Sequence, residues 1–292
     1  MHAYLSAIGF SKLNKESLAE LLEEIKLRPD YQESALDFDG NQFVELRYMV
    51  ADNIGLVLRG EYNDLDEFIL DYYYPTFFSG TNSTSGDIDI IKDTDKNNYH
   101  VMCDEIRLGI TLIFQLQNMA EFLHVAKGKN SGDTNAIKIA GLSIDGKIIL
   151  PLYVNAKSKE KAEIKQQKRY NLLDAAREGD EEAIESLTLQ EIDTYSKISR
   201  RISNSDILTV VSSYFMPFGI ENDKYDILGE IKDMKRVINH LTMEELYILT
   251  INSNDVDFEI CINKKDLFGE PAIGRRFKGT VWLQGSVDFS EN

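Results

Sequence analysis

The chain has 292 residues, 43% of them hydrophobic and only 5 of them proline, enough apolar material for a substantial core and about two domains. Its 49 acidic residues outweigh 32 basic ones, a formal net charge of -17. That surplus excludes nucleic acid as a general partner, because phosphate contacts need a concentrated positive face, and it excludes docking on anionic membranes. Two distant cysteines, Cys103 and Cys261, make no disulfide framework. The opening MHAYLSAIGFSKL has neither a cationic stretch nor a long apolar run, and the most apolar segment, 108–114, falls far short of the ~20 residues a membrane helix needs. The expectation is a cytoplasmic protein.

In chain order, a strand is expected over 2–10, then a helix over 15–27. Asn14 is placed to cap that helix, and Leu18, Leu21, Leu22 and Ile25 form its apolar stripe. Strands at 43–50 and 56–61 flank a turn containing Asp52, Asn53 and Gly55. Asp64 with Glu67 resembles a capping box for a short helix bearing Leu65, Phe68, Ile69 and Tyr72, which Pro75 would stop. Residues 79–98 read as a polar loop. Strands follow at 99–106 and 108–124, the second long or broken. Segments 136–144 and 147–154 flank Asp145-Gly146, a hairpin dipeptide.

Beyond Val154 the pattern turns helical. Residues 157–169 are a mostly basic polar run; Gly179 closes one helix and Asp180 opens the next; Thr188 with Glu191 caps a third; Ile207, Leu208, Val211, Tyr214 and Phe215 suit a fourth, ended by Pro217. Strands are then expected at 227–239, 245–252, 256–263 and 278–289, the last alternating Val281, Leu283, Val287 and Phe289 with polar residues. The resulting fold is α+β: a mixed N-terminal α+β domain over 1–155, a central helical segment over 156–216, and a small antiparallel β-barrel-like domain over 217–292.

Four places could carry chemistry. Arg275, Arg276 and Lys278, between Gly274 and Gly279 and close to Trp282, suit anion binding, since arginine forks pair with phosphate or carboxylate; the glycines equally suit a bend in a barrel strand. Asp93, Asp95 and Asn97 have the first, third and fifth spacing of a calcium loop, but the sixth position is Asn98 rather than glycine and the twelfth is Asp104. His100 with Cys103 would be a nucleophile pair or zinc ligands, but in a strand their spacing sends them to opposite faces. The aromatic run Tyr72–Phe78 suits packing or an oligomer contact. No Gly-rich phosphate loop follows a strand, so no cofactor is expected.

The segments CDEIRLGITLIFQLQN (103–118), DILGEI (226–231) and INKKDLFGEPAIGRRFKGTVWLQG (262–285) resemble an uncharacterised domain-of-unknown-function family of cytosolic proteins from anaerobic Firmicutes. The resemblance implies a bacterial cytosolic protein and transfers no activity, substrate or cofactor. It draws attention to Asp104, Arg107, Gln115 and Asn118 as a buried polar network. The functional expectation is a non-catalytic binding or scaffold protein recognising a protein partner or a small ligand, an anion among the candidates. The alternatives are an enzyme whose site assembles between domains and a homo-oligomeric structural protein using Tyr72–Phe78.

Overall fold

In the computed structural model, residues 2–93, 98–125, 135–152, 211–219 and 222–289 are described, with scattered positions between 168 and 208. The chain divides into two units, Met1–Ile149 with Phe215–Asn292, and Leu150–Tyr214. The first opens with a 3-10 helix, Ala3–Ile8, capped by the His2 ring and closed by Gly9 at φ 92°. The strand expected over 2–10 is therefore a helical turn. Helix α1 spans Lys15–Leu27; the Asn14 side chain accepts the Ser17 N–H, and Leu18, Leu21, Leu22 and Ile25 are buried. A four-stranded antiparallel sheet follows, β1 (Tyr31–Leu36), β2 (Gln42–Ala51), β3 (Ile54–Tyr62) and β4 (Phe68–Phe77), in that order.

Strand β4 occupies the place of the helix expected after Asp64. Its sequence, FILDYYYPTF, is rich in aromatic residues that favour a pleated surface, and pairing along β3 decides the outcome. Pro75 sits within it without breaking the sheet, because β4 is an edge strand. The expected capping residues lie in the hairpin turn, where Asn63 Oδ1 accepts the N–H groups of Leu65 and Glu67.

The second sheet contains β5 (Thr84–Gly86), β6 (Ile88–Lys92), β7 (Tyr99–Glu105), β8 (Ile110–Leu116), β9 (Asn135–Ile149), β10 (Tyr214–Pro217), β11 (Lys224–Ile238), β12 (Glu245–Ser253), β13 (Val256–Asn263), β14 (Leu267–Phe268) and β15 (Arg276–Val287), with helix α2 (Met119–Val125) after β8. Five of these strands close a barrel in the order β11-β12-β13-β9-β15-β11. The β13–β9 seam is parallel and the other four are antiparallel. Closure needs one strand in two seams. The first half of β11 pairs β15 and the second half pairs β12; Glu230 belongs to both ladders, and a register shift follows between Ile231 and Asp233. Beside this corner, a Cβ on Gly229 would stand 2.6 Å from the Asn252 carbonyl oxygen, so only glycine fits.

Two cores follow from the two-residue period of the barrel strands. Leu249, Phe258, Ile260, Phe277, Val281 and Leu283 pack with β7, β8 and α2. Their neighbours Ile248, Cys261, Leu142 and Trp282 face the other way and pack against the 3-10 helix, α1 and β2–β4.

Four expectations differ from the structure. The protein is not α+β with a balanced helical share: strand accounts for 53% of the described residues and helix for 19%. Most of the helical segment expected over 156–216, with residues 157–167 and the Thr188/Glu191 cap, lies outside the described residues. Within it, Gly179 at φ 91° follows a helical turn and Asp180 Oδ1 accepts the Glu182 and Ala183 N–H groups. Tyr214–Pro217 is strand rather than helix. Asp145-Gly146 makes no hairpin; it lies inside the continuous strand β9, where a Cβ on Gly146 would stand 2.7 Å from Ile262 and Phe277 side-chain atoms and 2.9 Å from Leu267, so these side chains would have to shift. The barrel is not contained in 217–292, since β9 from the N-terminal stretch is one of its five strands.

A Cβ at Gly279 would lie 2.2 Å from the Asp145 carbonyl oxygen, a backbone atom on the neighbouring strand, whereas Gly80 has nothing within 4 Å. Gly279→Ala is expected to cost about 3 kcal/mol and Gly80→Ala less than about 0.5 kcal/mol, measured by urea unfolding of both variants.

Candidate functional site

The densest polar arrangement begins on β3. Arg59 lies opposite Glu45 on β2 and Tyr72 on β4, and it is fully buried. Its Nε donates to Glu45 Oε2 at 2.7 Å, Nη1 to the Tyr72 hydroxyl at 2.8 Å and to Asn98 Oδ1 at 3.1 Å, and Nη2 to the Leu116 carbonyl at 3.0 Å. The guanidinium also lies 4.9 Å from the Tyr74 ring centroid. Burial works against its charge, but the Tyr74 and Tyr72 oxygens and the Glu45 carboxylate outweigh burial and hold it ionised. Burial in turn pushes the Tyr72 hydroxyl up to about 12 and Tyr74 well above its ordinary value.

Asn98 passes this network on. Its Oδ1 also accepts from Gln115 Nε2 at 3.2 Å, and its Nδ2 donates to Asp93 Oδ2 at 3.3 Å. Asp93 Oδ1 lies 2.9 Å from His100 Nδ1, and His100 Nε2 lies 3.4 Å from Asp223 Oδ2. Asp223 then accepts the Trp282 indole N–H at 2.6 Å. The chain of contacts thus runs from the first sheet through β7 to the outer face of the barrel. A second clamp lies nearby: Gln284 Oε1 accepts from Thr76 Oγ1 and Gln117 Nε2, and Gln284 Nε2 donates to the Pro75 carbonyl at 2.8 Å.

The residues singled out from the sequence are distributed as follows. Arg275 Nη1 donates to the Glu270 carbonyl at 2.6 Å and so braces its own loop. Arg276 is buried at the start of β15, opposite Glu230 and Ile149, and burial lowers its pKa. Lys278 stands opposite Leu228 and Lys147. Trp282 is six positions beyond Arg276 on the same strand, a separation of about 20 Å, and its N–H is held by a carboxylate. Those residues are not gathered at one point. Arg107 forks onto Glu105, with Nε–Oε1 at 2.8 Å and Nη2–Oε2 at 2.6 Å, and donates further to the Asp255 and Ser83 carbonyls. Asp104 instead accepts from Thr111, and Asn118 donates to Glu121 and the Val287 carbonyl, so Asp104, Arg107, Gln115 and Asn118 belong to separate clusters. Asp93 turns toward His100, while Asp95 and Asn97 lie outside the described residues. In the Tyr72–Phe78 run, Tyr74, Thr76 and Phe77 are buried within the protein.

Neither thiol is poised as a nucleophile: burial pushes Cys103 up to about 11, and raises the fully buried Cys261 as well. Among the described residues no group of three or more His, Cys, Asp or Glu side chains is placed to hold a metal ion.

An open groove of about 740 Å³ lies elsewhere, between the start of α1 and the ends of β12 and β13. Lys12, Leu13, Met243, Glu244, Asn263 and Lys265 are among its lining residues. Its floor is rigid. The buried Asn239 donates to the Ile8 carbonyl at 2.8 Å and accepts the Leu241 and Thr242 N–H groups, and Thr242 Oγ1 donates to the Gly9 carbonyl at 2.7 Å. That loop holds Met243 at φ 60° with 69% of its surface exposed. Glu244 accepts from Lys265 Nζ, Ser11 Oγ and Asn263 Nδ2. Partial burial opposes its charge, and these three donors more than compensate, lowering its pKa. Sequence reasoning missed the groove because its walls come from residues 12–17 and 242–265. The one visible signal was the Lys264-Lys265 pair.

A family model, domain of unknown function DUF3881 with an E. rectale gene description, matches residues 5–285. The chain belongs to the DUF3881 family. No curated protein matches it, and no solved structure does. The span matched by DUF3881 takes in α1, the first sheet, every described residue of the groove and the barrel strands as far as Gly285.

Arg59→Ala is expected to cost about 3–5 kcal/mol, because Glu45 Oε2, Asn98 Oδ1 and the Leu116 carbonyl lose their buried donor and Glu45 keeps only the Arg47 pair on its other oxygen, at 2.7 Å. The double variant Glu45→Gln/Arg59→Met should cost clearly less than the sum of the two single changes, as a double-mutant cycle by urea unfolding would show.

Proposed function

We propose that this DUF3881 protein is a non-catalytic cytosolic binding protein that takes a small anionic ligand in the groove beside α1. The observation that carries the reading is the groove itself: its volume of about 740 Å³ is that of a small-molecule site. Its lining combines apolar Leu13 and Met243 with the ammonium groups of Lys12, Lys264 and Lys265. Lys264 and Lys265 are held at 2.8 Å and 2.5 Å by Glu245 and Glu244, whereas Lys12 makes no ion pair among the described residues. An anion seated there gains charge-assisted hydrogen bonds on a floor already fixed by Asn239. Elsewhere the buried Arg59 and the half-buried Arg107 and His100 are engaged with protein oxygens, which favours binding over acid–base chemistry as the working role. The acidic composition suits a cytosolic protein. Among the described residues no helix is long and apolar enough to cross a membrane.

The test is a thermal-shift screen against sugar phosphates, nucleotides and organic acids. A ligand at a hundred times its Kd adds about 2.7 kcal/mol of stability. The expected hit is lost in Lys12→Ala/Lys264→Ala and kept in Arg275→Ala/Arg276→Ala. A hit lost only in the arginine pair moves the site to the barrel corner. No shift with any compound overturns the small-ligand reading and leaves a protein partner.

A further inference from the structure

We propose that His100 is a pH-operated latch: its imidazolium ties Asp93, directly after β6, to Asp223, in the turn ahead of β11, and loss of its proton releases Asp223 from the ring. The number of ring donors sets which of these contacts survives. Nδ1 lies 2.9 Å from Asp93 Oδ1 and Nε2 lies 3.4 Å from Asp223 Oδ2. An imidazolium has two N–H donors and a neutral imidazole has one. Both contacts are therefore hydrogen bonds only in the protonated ring; the neutral ring points a lone pair at one carboxylate. The shorter contact keeps the proton, so Nδ1–H stays on Asp93 and the Nε2 lone pair faces Asp223. Asp223 then keeps its own backbone N–H and the Trp282 N–H at 2.6 Å, so the opening is registered directly at that indole.

Among the described residues, the two aspartates are the charges that face the ring. Opposite His100, β8 contributes neutral Gln115 and β6 contributes Ile91. The nearby Lys224 ammonium lies over the Tyr4 ring, 5.4 Å from its centroid, and Asn98 donates to Asp93. The imidazole is 21% exposed and the Asp223 side chain 19%, so protons reach the site while water screens it only partly.

Burial pulls the His100 pKa down, but the hydrogen bond to Asp223 and the charge of Asp93 raise it more, to a net value above ordinary. Burial pulls the Asp223 pKa up, and the His100 and Trp282 donors lower it more, to a net value below ordinary. The stabilisation from His100 is thus fully present below about pH 6.5 and lost as pH rises through the raised value. That from Asp223 is present above about pH 3.9 and lost as pH falls through the lowered one. The latch is closed between these limits and opens on the alkaline side.

Trp282 is the single tryptophan, so its indole N–H gives one NMR resonance. In the wild-type protein, that resonance and the imidazole resonances are followed from about pH 5.5 to about pH 9, across the range in which histidine titrates. The expected result is an indole shift whose midpoint lies above about 6.5 and coincides with that of one imidazole. An indole that does not move, or moves with a midpoint no imidazole shares, overturns the proposal without recourse to any variant. Because the His2 ring also sits on Trp282, with centroids 4.8 Å apart, two variants assign the shift. The transition should vanish in His100→Gln and persist in His2→Phe, and the reverse pattern overturns the proposal. Asp223→Asn should lower the imidazole midpoint by about one unit; an unchanged midpoint removes Asp223 as the partner.

Discussion

A guanidinium with no route to water has to find every partner inside the protein, and Arg59 draws those partners from four separate stretches of chain. Glu45 and Tyr72 come from its neighbours in the first sheet, Asn98 from the approach to β7, and the Leu116 carbonyl from the end of β8. A one-residue slip of β2 or β4 would turn the partner residue to the opposite face and leave a bare charge in the core. Apolar packing between the first sheet and the barrel is non-directional and tolerates sliding; the buried pair does not. Its net contribution to stability is small once desolvation is counted, but it penalises wrong registers heavily.

The same junction explains how the barrel strands can be apolar on both faces. A free-standing barrel would show water the side of β9, β12, β13 and β15 that carries Leu142, Ile248, Cys261 and Trp282. Here that side is roofed by the 3-10 helix, α1 and β2–β4. The polar groups in the interface, Gln284 with Thr76 and Gln117, are mutually satisfied apart from one Gln117 oxygen. The roof is thus part of the barrel's own folding energetics rather than an accessory.

What was legible in the sequence is what depends on neighbours along the chain. The bounds and cap of α1 follow from Asn14 and a leucine stripe, and β15 follows from alternation. Asp145-Gly146 misled because its glycine answers to crowding by Ile262 and Phe277 from other strands, not to a turn. Phe68–Phe77 misled because an apolar stripe at helical spacing also serves an edge strand, and only the partner β3 decides between them. The site shows the same limit. Asp93, His100 and Trp282 each attracted notice, but as a calcium ligand, a partner for Cys103 and a neighbour of the arginines. What joins them is Asp223, more than a hundred positions from His100, and no local pattern marks it.

Because β15 pairs both β9 and β11, the order of synthesis matters. Strand β9 ends at Ile149 and β15 begins at Arg276. At ribosomal speeds that interval lasts on the order of ten seconds. Throughout it β9, apolar on both faces, waits beside the exit tunnel with the edge meant for β15 unpaired. Such an edge pairs readily with other nascent chains. The strand that makes the native barrel a closed ring is therefore also the last of its five strands to be made, and the ring cannot close before Arg276–Val287 has been synthesised.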